Sequence, residues 1–175
     1  VISMQMGIDR KELDQLLGAF QISKRAAKRA AERAVRKAAK WTGGQAAKVT
    51  GAELRVQQRF IRQRLRLFRK GDGTEQKIWL GLNSVAAARL GQARQGPRGV
   101  RIGQHFFDKA FIIKKYGGGI YTRPSADRFP ISLVKVEIDE AGARAIRAVA
   151  ARAEERLLTL LRQELNFELS RSGKR

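Results

Sequence analysis

The chain has no cysteine and a single histidine, His105. The lack of cysteine removes disulfides and thiolate chemistry and fits a reducing compartment. With one histidine and no thiol, a zinc site of the usual nitrogen and sulfur type cannot be assembled. No long apolar run is present, which excludes a membrane-spanning helix. Val1 to Arg10 holds no apolar stretch long enough for a signal-peptide core. Acidic residues are the scarce charge: sixteen Asp plus Glu stand against thirty-seven Lys plus Arg, a formal net charge of +21. That excess exceeds what solubility requires and implies a polyanionic partner, whether nucleic acid, an acidic protein surface or an anionic membrane. At 175 residues the chain fits one domain with a real core and no staples.

What is present is helical at both ends. The segment "IDRKELDQLLGAF" sets Ile8, Leu13, Leu16, Leu17 and Phe20 near one helical face and reads as a packing or docking helix. "SKRAAKRAAERAVRKAAKW", Ser23 to Trp41, predicts a long helix with Ser23 as N-cap and alanine at nearly every uncharged position. Its charges recur in pairs every four residues, from Lys24/Arg25 to Arg36/Lys37 and Lys40. Four residues overshoot one turn by about 40°, so a basic stripe and an alanine stripe wind side by side. The alanine stripe admits a close neighbour, and the basic stripe is either a solvated face or a surface for phosphates. "TGGQ" reads as a break, after which Thr50 and Glu53 stand at capping-box spacing and start a second helix. On that helix Arg55, Arg59, Arg62 and Arg66 share a face.

From Arg64 the pattern also alternates, so helix and strand are both allowed there; the turn signal "KGDGTE" and the returning run "QKIWLGL" favour a strand. Residues 83–103, rich in Gly, Ala, Gln and Arg, read as an exposed basic loop ending in a short strand. "FFDKAFIIKKY", "GIYTRP" and "PISLVKVEI" supply further strands, and Asp139 to Ser170 an amphipathic C-terminal helix. The fold class is α+β in a single domain: a helical region over 1–63, a central, mostly antiparallel β region over 64–138, and a helix over 139–170.

The three glycines of "KYGGGIYTRPSADRFPI" lie between two strands and lack the lysine and following helix of a phosphate loop, so they read as a hairpin turn. His105 beside Phe106 and Phe107 reads as a packed or capping residue. The acids have structural readings: Glu53 as a cap partner, Asp139 and Glu140 at a helix start, and Glu154, Glu155, Glu164 and Glu168 on the charged side of a helix. No enzyme is therefore expected, with no catalytic residue, cofactor or metal. The aromatics cluster with apolar neighbours as core residues do, and no helix-turn-helix, zinc-finger or RNP pattern appears.

The order of an Ala/Arg helix, "RQRLRLFRK", "KIWLGLNSV", "HFFDKAFI", "GIYTRPSADRFPISLVKVEI" and a terminal helix resembles the minor tail protein Z family of long-tailed phages. The resemblance runs from about Ser23 to the C-terminus. Its most specific elements are "AFI", Ala110 to Ile112, and "R....RFPI", Arg123 to Ile131. It implies a structural virion protein at the head-proximal end of the tail, completing the tail for head joining and for positioning or passing the DNA end. The partners implied are further copies in a hexameric ring, tail terminator, tail tube and head–tail connector proteins, and the genomic DNA end, with no membrane. Host cytoplasm is the place of assembly. The residues expected to contact DNA, the channel or an acidic partner are Lys24, Arg25, Lys28, Arg29, Arg33, Arg36, Lys37 and Lys40, then Arg55, Arg59 and Arg62. Leu13, Leu16, Leu17, Phe20, Phe106, Phe107 and Phe111 are expected between subunits or in the core. The competing reading is a free, non-specific nucleic-acid-binding protein using the same helices.

Overall fold

The computed structural model describes residues 2–172 apart from 10, 13, 16, 17 and 19–21. Leu13, Leu16, Leu17 and Phe20 of the expected docking helix lie outside the described residues. Its described residues 11, 12, 14, 15 and 18 are helical, and a strand, β1 (Ile2–Gly7), precedes it. Strand β1 pairs antiparallel with β3 (Glu75–Leu80), whose other edge takes β2 (Leu65–Lys70). Alternation puts Met4, Met6, Ile78 and Leu80 on one face of this sheet, against the two long helices.

Helix α1 (Lys24–Glu53) runs for 30 residues, about 45 Å. Ser23 caps it as expected: its backbone is extended and its hydroxyl accepts from the amide of Ala26 at 3.3 Å. The alanine stripe is buried in adjacent pairs every four residues, from Ala26/Ala27 to Ala46/Ala47 and on to Thr50/Gly51. The stripe meets β1, β3 and the C-terminal helix along its length, and α2 (Gln58–Gln63) and β2 join them towards its end.

The break expected at "TGGQ" is absent, for a packing reason. Gly43 faces β2 so closely that a Cβ there would lie 2.8 Å from a Leu65 methyl carbon, so glycine admits the strand without ending the helix. Thr50 does not start a second helix either. It is buried inside α1, and its hydroxyl donates to the carbonyl of Ala46 at 2.8 Å.

The helix ends in a Schellman arrangement: the amide of Val56 donates to Gly51 at 2.9 Å and that of Arg55 to Ala52 at 3.2 Å. Arg55 occupies the left-handed position there, at φ 53°, where glycine is usual. Arg55, Arg59, Arg62 and Arg66 are therefore not one helical face. Arg55 is in the turn, Arg59 and Arg62 are on α2, and Arg66 is on β2. The helix-to-strand change falls at Arg64, the C-cap of α2.

The central β region is antiparallel throughout its pairings, as expected, but forms several small sheets rather than one. Residues 83–103 are not an exposed loop. They contain β4 (Val85–Ala86), a turn of 3-10 helix over 87–90, and the hairpin of β5 (Ala93–Gly96) and β6 (Gly99–Ile102), continued by β7 (His105–Asp108). Val85, Ala87, Leu90, Val100 and Ile102 from this stretch are buried in a second core with Ala110, Ile120 and Ile138. Gln95 fastens the hairpin: its amide nitrogen donates to the carbonyls of Gly96, Gly99 and Ala110 at 3.1–3.3 Å, and its oxygen accepts from Ile112 at 2.9 Å.

The three glycines make the expected turn between β8 (Phe111–Ile113) and β9 (Gly119–Thr122), with Gly117 and Gly118 at positive φ. "PISLVKVEI" is divided at Val134 between β10 (Ser132–Leu133), on β9, and β11 (Lys135–Val136), on β4. The chain closes with α3 (Asp139–Ser172), 34 residues long and antiparallel to α1.

Replacing Arg55 by glycine should raise unfolding stability by about 0.5–1 kcal/mol, because the left-handed backbone then carries no Cβ. Denaturant melts of the two proteins check this; a loss of stability would mean that the arginine side chain holds the turn.

Candidate interaction surface

The two long helices are joined by a clamp of charges. Glu164 and Glu168, one turn apart on α3, are 6% and 1% exposed. The Arg33 guanidinium donates to both, from Nε to Glu164 at 2.5 Å and from a terminal nitrogen to Glu168 at 2.7 Å. Arg29 adds a bond to Glu168 at 2.8 Å and Lys37 one to Glu164 at 2.5 Å. These acids do not lie on the charged side of the helix. They continue the stripe of Leu157, Leu161 and Leu165, so folding carries them against α1 and the cations must meet them there.

The energetics follow from burial. For Glu164, burial is the largest influence and opposes ionisation, but hydrogen bonds and charge from Lys37 and Arg33 together hold its carboxyl below the ordinary value. Glu168 is held low first by Arg29, against burial, with Arg33 assisting. Arg33 is pushed up: burial pulls the other way, and the two carboxylates outweigh it.

Further pairs tie α1 and α3 to their surroundings. Lys28 reaches Asp72 in the β2–β3 turn at 3.1 Å, and Glu32 meets Arg69 at 3.6 Å. Asp72 is lowered to about 2, first by the Thr74 hydroxyl and then by Lys28. At the other end Glu53, expected as a cap partner, pairs with Arg144.

The eight cations assigned to contact on α1 therefore fall into two sets. Lys28, Arg29, Arg33 and Lys37 are engaged within the chain. Lys24, Arg25, Arg36 and Lys40 are exposed with no carboxylate within 4.0 Å among the described residues. Arg55, Arg59 and Arg62 are exposed as well, with Arg59 lying over the Phe60 ring at 5.2 Å.

The aromatics also divide. Phe107 packs on the second core, with His105 stacked beside it at 6.1 Å as a packing residue. Phe111 is half-buried under the Arg123 guanidinium at 4.6 Å. Phe68, Phe106, Tyr116, Phe129 and Phe167 are 47–61% exposed, so the expectation that aromatics lie in the core fails for them, and of the two places expected for Phe106 the core is excluded.

A hollow of about 640 Å³ between β1 and α3 is lined by Met4, Met6, Ile8, Leu157 and Leu161 with Glu12 and Glu154, and among the described residues no cation lines it. Among the described residues no group of three potential metal ligands occurs and no helix is long and apolar enough to cross a membrane.

The fold and the surface define a cationic α+β body with two long paired helices and exposed basic groups along the first of them. The family model for Prophage minor tail protein Z (GPZ) matches residues 13–175, and the chain belongs to that family of structural phage tail proteins. It is a tail component of the virion. No curated protein and no solved structure matches it.

Two outcomes are expected of the clamp. Arg33→Ala should cost about 2 kcal/mol, since it removes one charged hydrogen bond from each of two buried carboxylates and leaves Glu168 to Arg29 and Glu164 to Lys37, whereas Arg36→Ala, nearby on the exposed side of α1, should change stability by less than about 0.5 kcal/mol; chemical denaturation of both variants decides. On acidification, the unfolded chain takes up protons before the two lowered carboxyls do. The stability they contribute is thus complete above the ordinary value of 4.5 and is lost as pH falls through their folded values. A Glu164→Gln, Glu168→Gln protein should be less stable at neutral pH and should lose most of that acid dependence, as read by thermal melts across pH 2–7.

Proposed function

We propose that this chain completes the phage tail at its head-proximal end, as a hexameric ring that joins tail to head and positions or passes the DNA end. The observation that carries the reading is the division of cations on α1. After the clamp is satisfied, Lys24, Arg25, Arg36 and Lys40 still face outward, and a ring repeats them around an axis. Such a belt suits the phosphates of a DNA end or the acidic surfaces of tail terminator, tail tube and connector proteins. The same charge opposes assembly of bare subunits at low salt, so ring closure depends on an anionic partner or on the tail itself.

The experiment replaces Lys24, Arg25, Arg36 and Lys40 together by glutamate in the phage. The purified variant should keep its helical circular dichroism and cooperative melting, because none of the four is engaged by the clamp, while tails should fail to mature into infectious particles. Normal infectivity with that variant incorporated would overturn the proposal.

A further inference from the structure

A second basic surface lies on the sheet formed by β5, β6 and β7, where Arg94, Arg101 and Phe106 stand directly opposite one another across the three strands. All three are exposed, and the Arg101 guanidinium lies 5.8 Å from the Phe106 ring. The other face of the same strands carries Val100, Ile102 and Phe107 into the second core, which fixes the orientation of the outer row.

The arrangement is locally unfavourable. Two like charges directly opposite each other in a sheet repel, and an aromatic ring beside them is left in water. No carboxylate comes within ion-pair distance of Arg94 or Arg101 among the described residues; Asp108, on the same face, stands opposite Gly99. Next to the row is an open hollow of about 570 Å³ lined by Gly96, Pro97, Arg98, Gly99, Arg101 and Phe106. That volume is within the range of small-ligand sites. Its lining combines two glycines, a proline, a phenyl ring and two arginines. The platform is stiff, because Gln95 bonds the hairpin to Ala110 and Ile112.

We infer that this face binds a nucleic-acid strand with unpaired bases, phosphates on Arg94, Arg98 and Arg101 and a base stacked on Phe106. Guanidiniums satisfy the phosphate charge, and a sheet-borne aromatic accepts any base by its π-face, whereas a duplex hides those faces. An acidic protein would answer the charge but would leave the ring and the hollow unused. The inference deepens the reading above by naming the surface and the form of the nucleic acid for a chain placed at the DNA end.

The test is fluorescence anisotropy of the full-length protein with a labelled oligothymidine strand, a duplex of equal length and polyglutamate as competitor, over a range of salt. Phe106→Ala should weaken single-strand binding about tenfold and leave duplex binding unchanged, with Phe106→Tyr restoring it. Arg94→Gln with Arg101→Gln should make the salt slope shallower by about 1.4, at roughly 0.7 per phosphate released. The same pair should melt no lower than the parent, since it removes a repulsion. Single strand and duplex bound alike, with no effect of Phe106→Ala, would overturn the inference. So would polyglutamate displacing the strand as effectively as unlabelled oligothymidine, which would make an acidic protein the partner. The two proposals fail separately: intact strand binding by these variants removes this surface and leaves tail completion standing. Lost binding in a phage whose tails complete normally leaves the surface and removes its role there.

Discussion

The pairing of the two long helices is arranged around two glutamates that cannot stay in the interior without α1. Glu164 and Glu168 are set on the leucine stripe of α3, so the packing that buries the leucines also removes two carboxylates from water. Arg33 answers both, and Arg29 and Lys37 complete the set from the turns on either side. Small residues let the helices approach, and the ion pairs answer the two carboxylates that this approach buries.

That constraint reorganises the meaning of the net charge of +21. A stripe that reads as one basic face is two faces on one helix, because pairs at four-residue spacing place one cation beside α3 while its neighbour points away. Lys37 and Arg36 illustrate it: one is tied to Glu164 of α3, the other is a surface charge. The surplus available to a partner is moved from the helix seam to its outer side and to the outer faces of the sheets.

The large features were legible because they depend on local patterns. Ser23 followed by an alanine-rich run dictates a capped helix, "KGDGTE" and the triple glycine dictate turns, and Asp139 onward keeps an apolar period over the whole of α3. What was not legible depended on partners distant in sequence. "TGGQ" looks like a stop, yet Gly43 is there to admit Leu65. The stretch 83–103 looks like a loop because glycine, alanine and arginine outnumber its apolar residues, yet Val100 and Ile102 at strand spacing suffice once Gln95 ties the hairpin down. Glu164 and Glu168 did carry a signal: their spacing from Leu157 and Leu161 places them on the apolar stripe. The alternation of Ile2, Met4 and Met6 likewise marks β1. Phe106 could be placed only by its register, which no local pattern states.

The claim that an interior charge clamp, rather than alanine packing alone, joins the long helices is tested most directly by a double-mutant cycle between Arg33→Met and Glu168→Gln, with unfolding free energies measured at neutral pH. A coupling of about 2 kcal/mol is the result this account requires. Additive effects, to within about 0.3 kcal/mol, would show that the two side chains stabilise the fold independently and would contradict it.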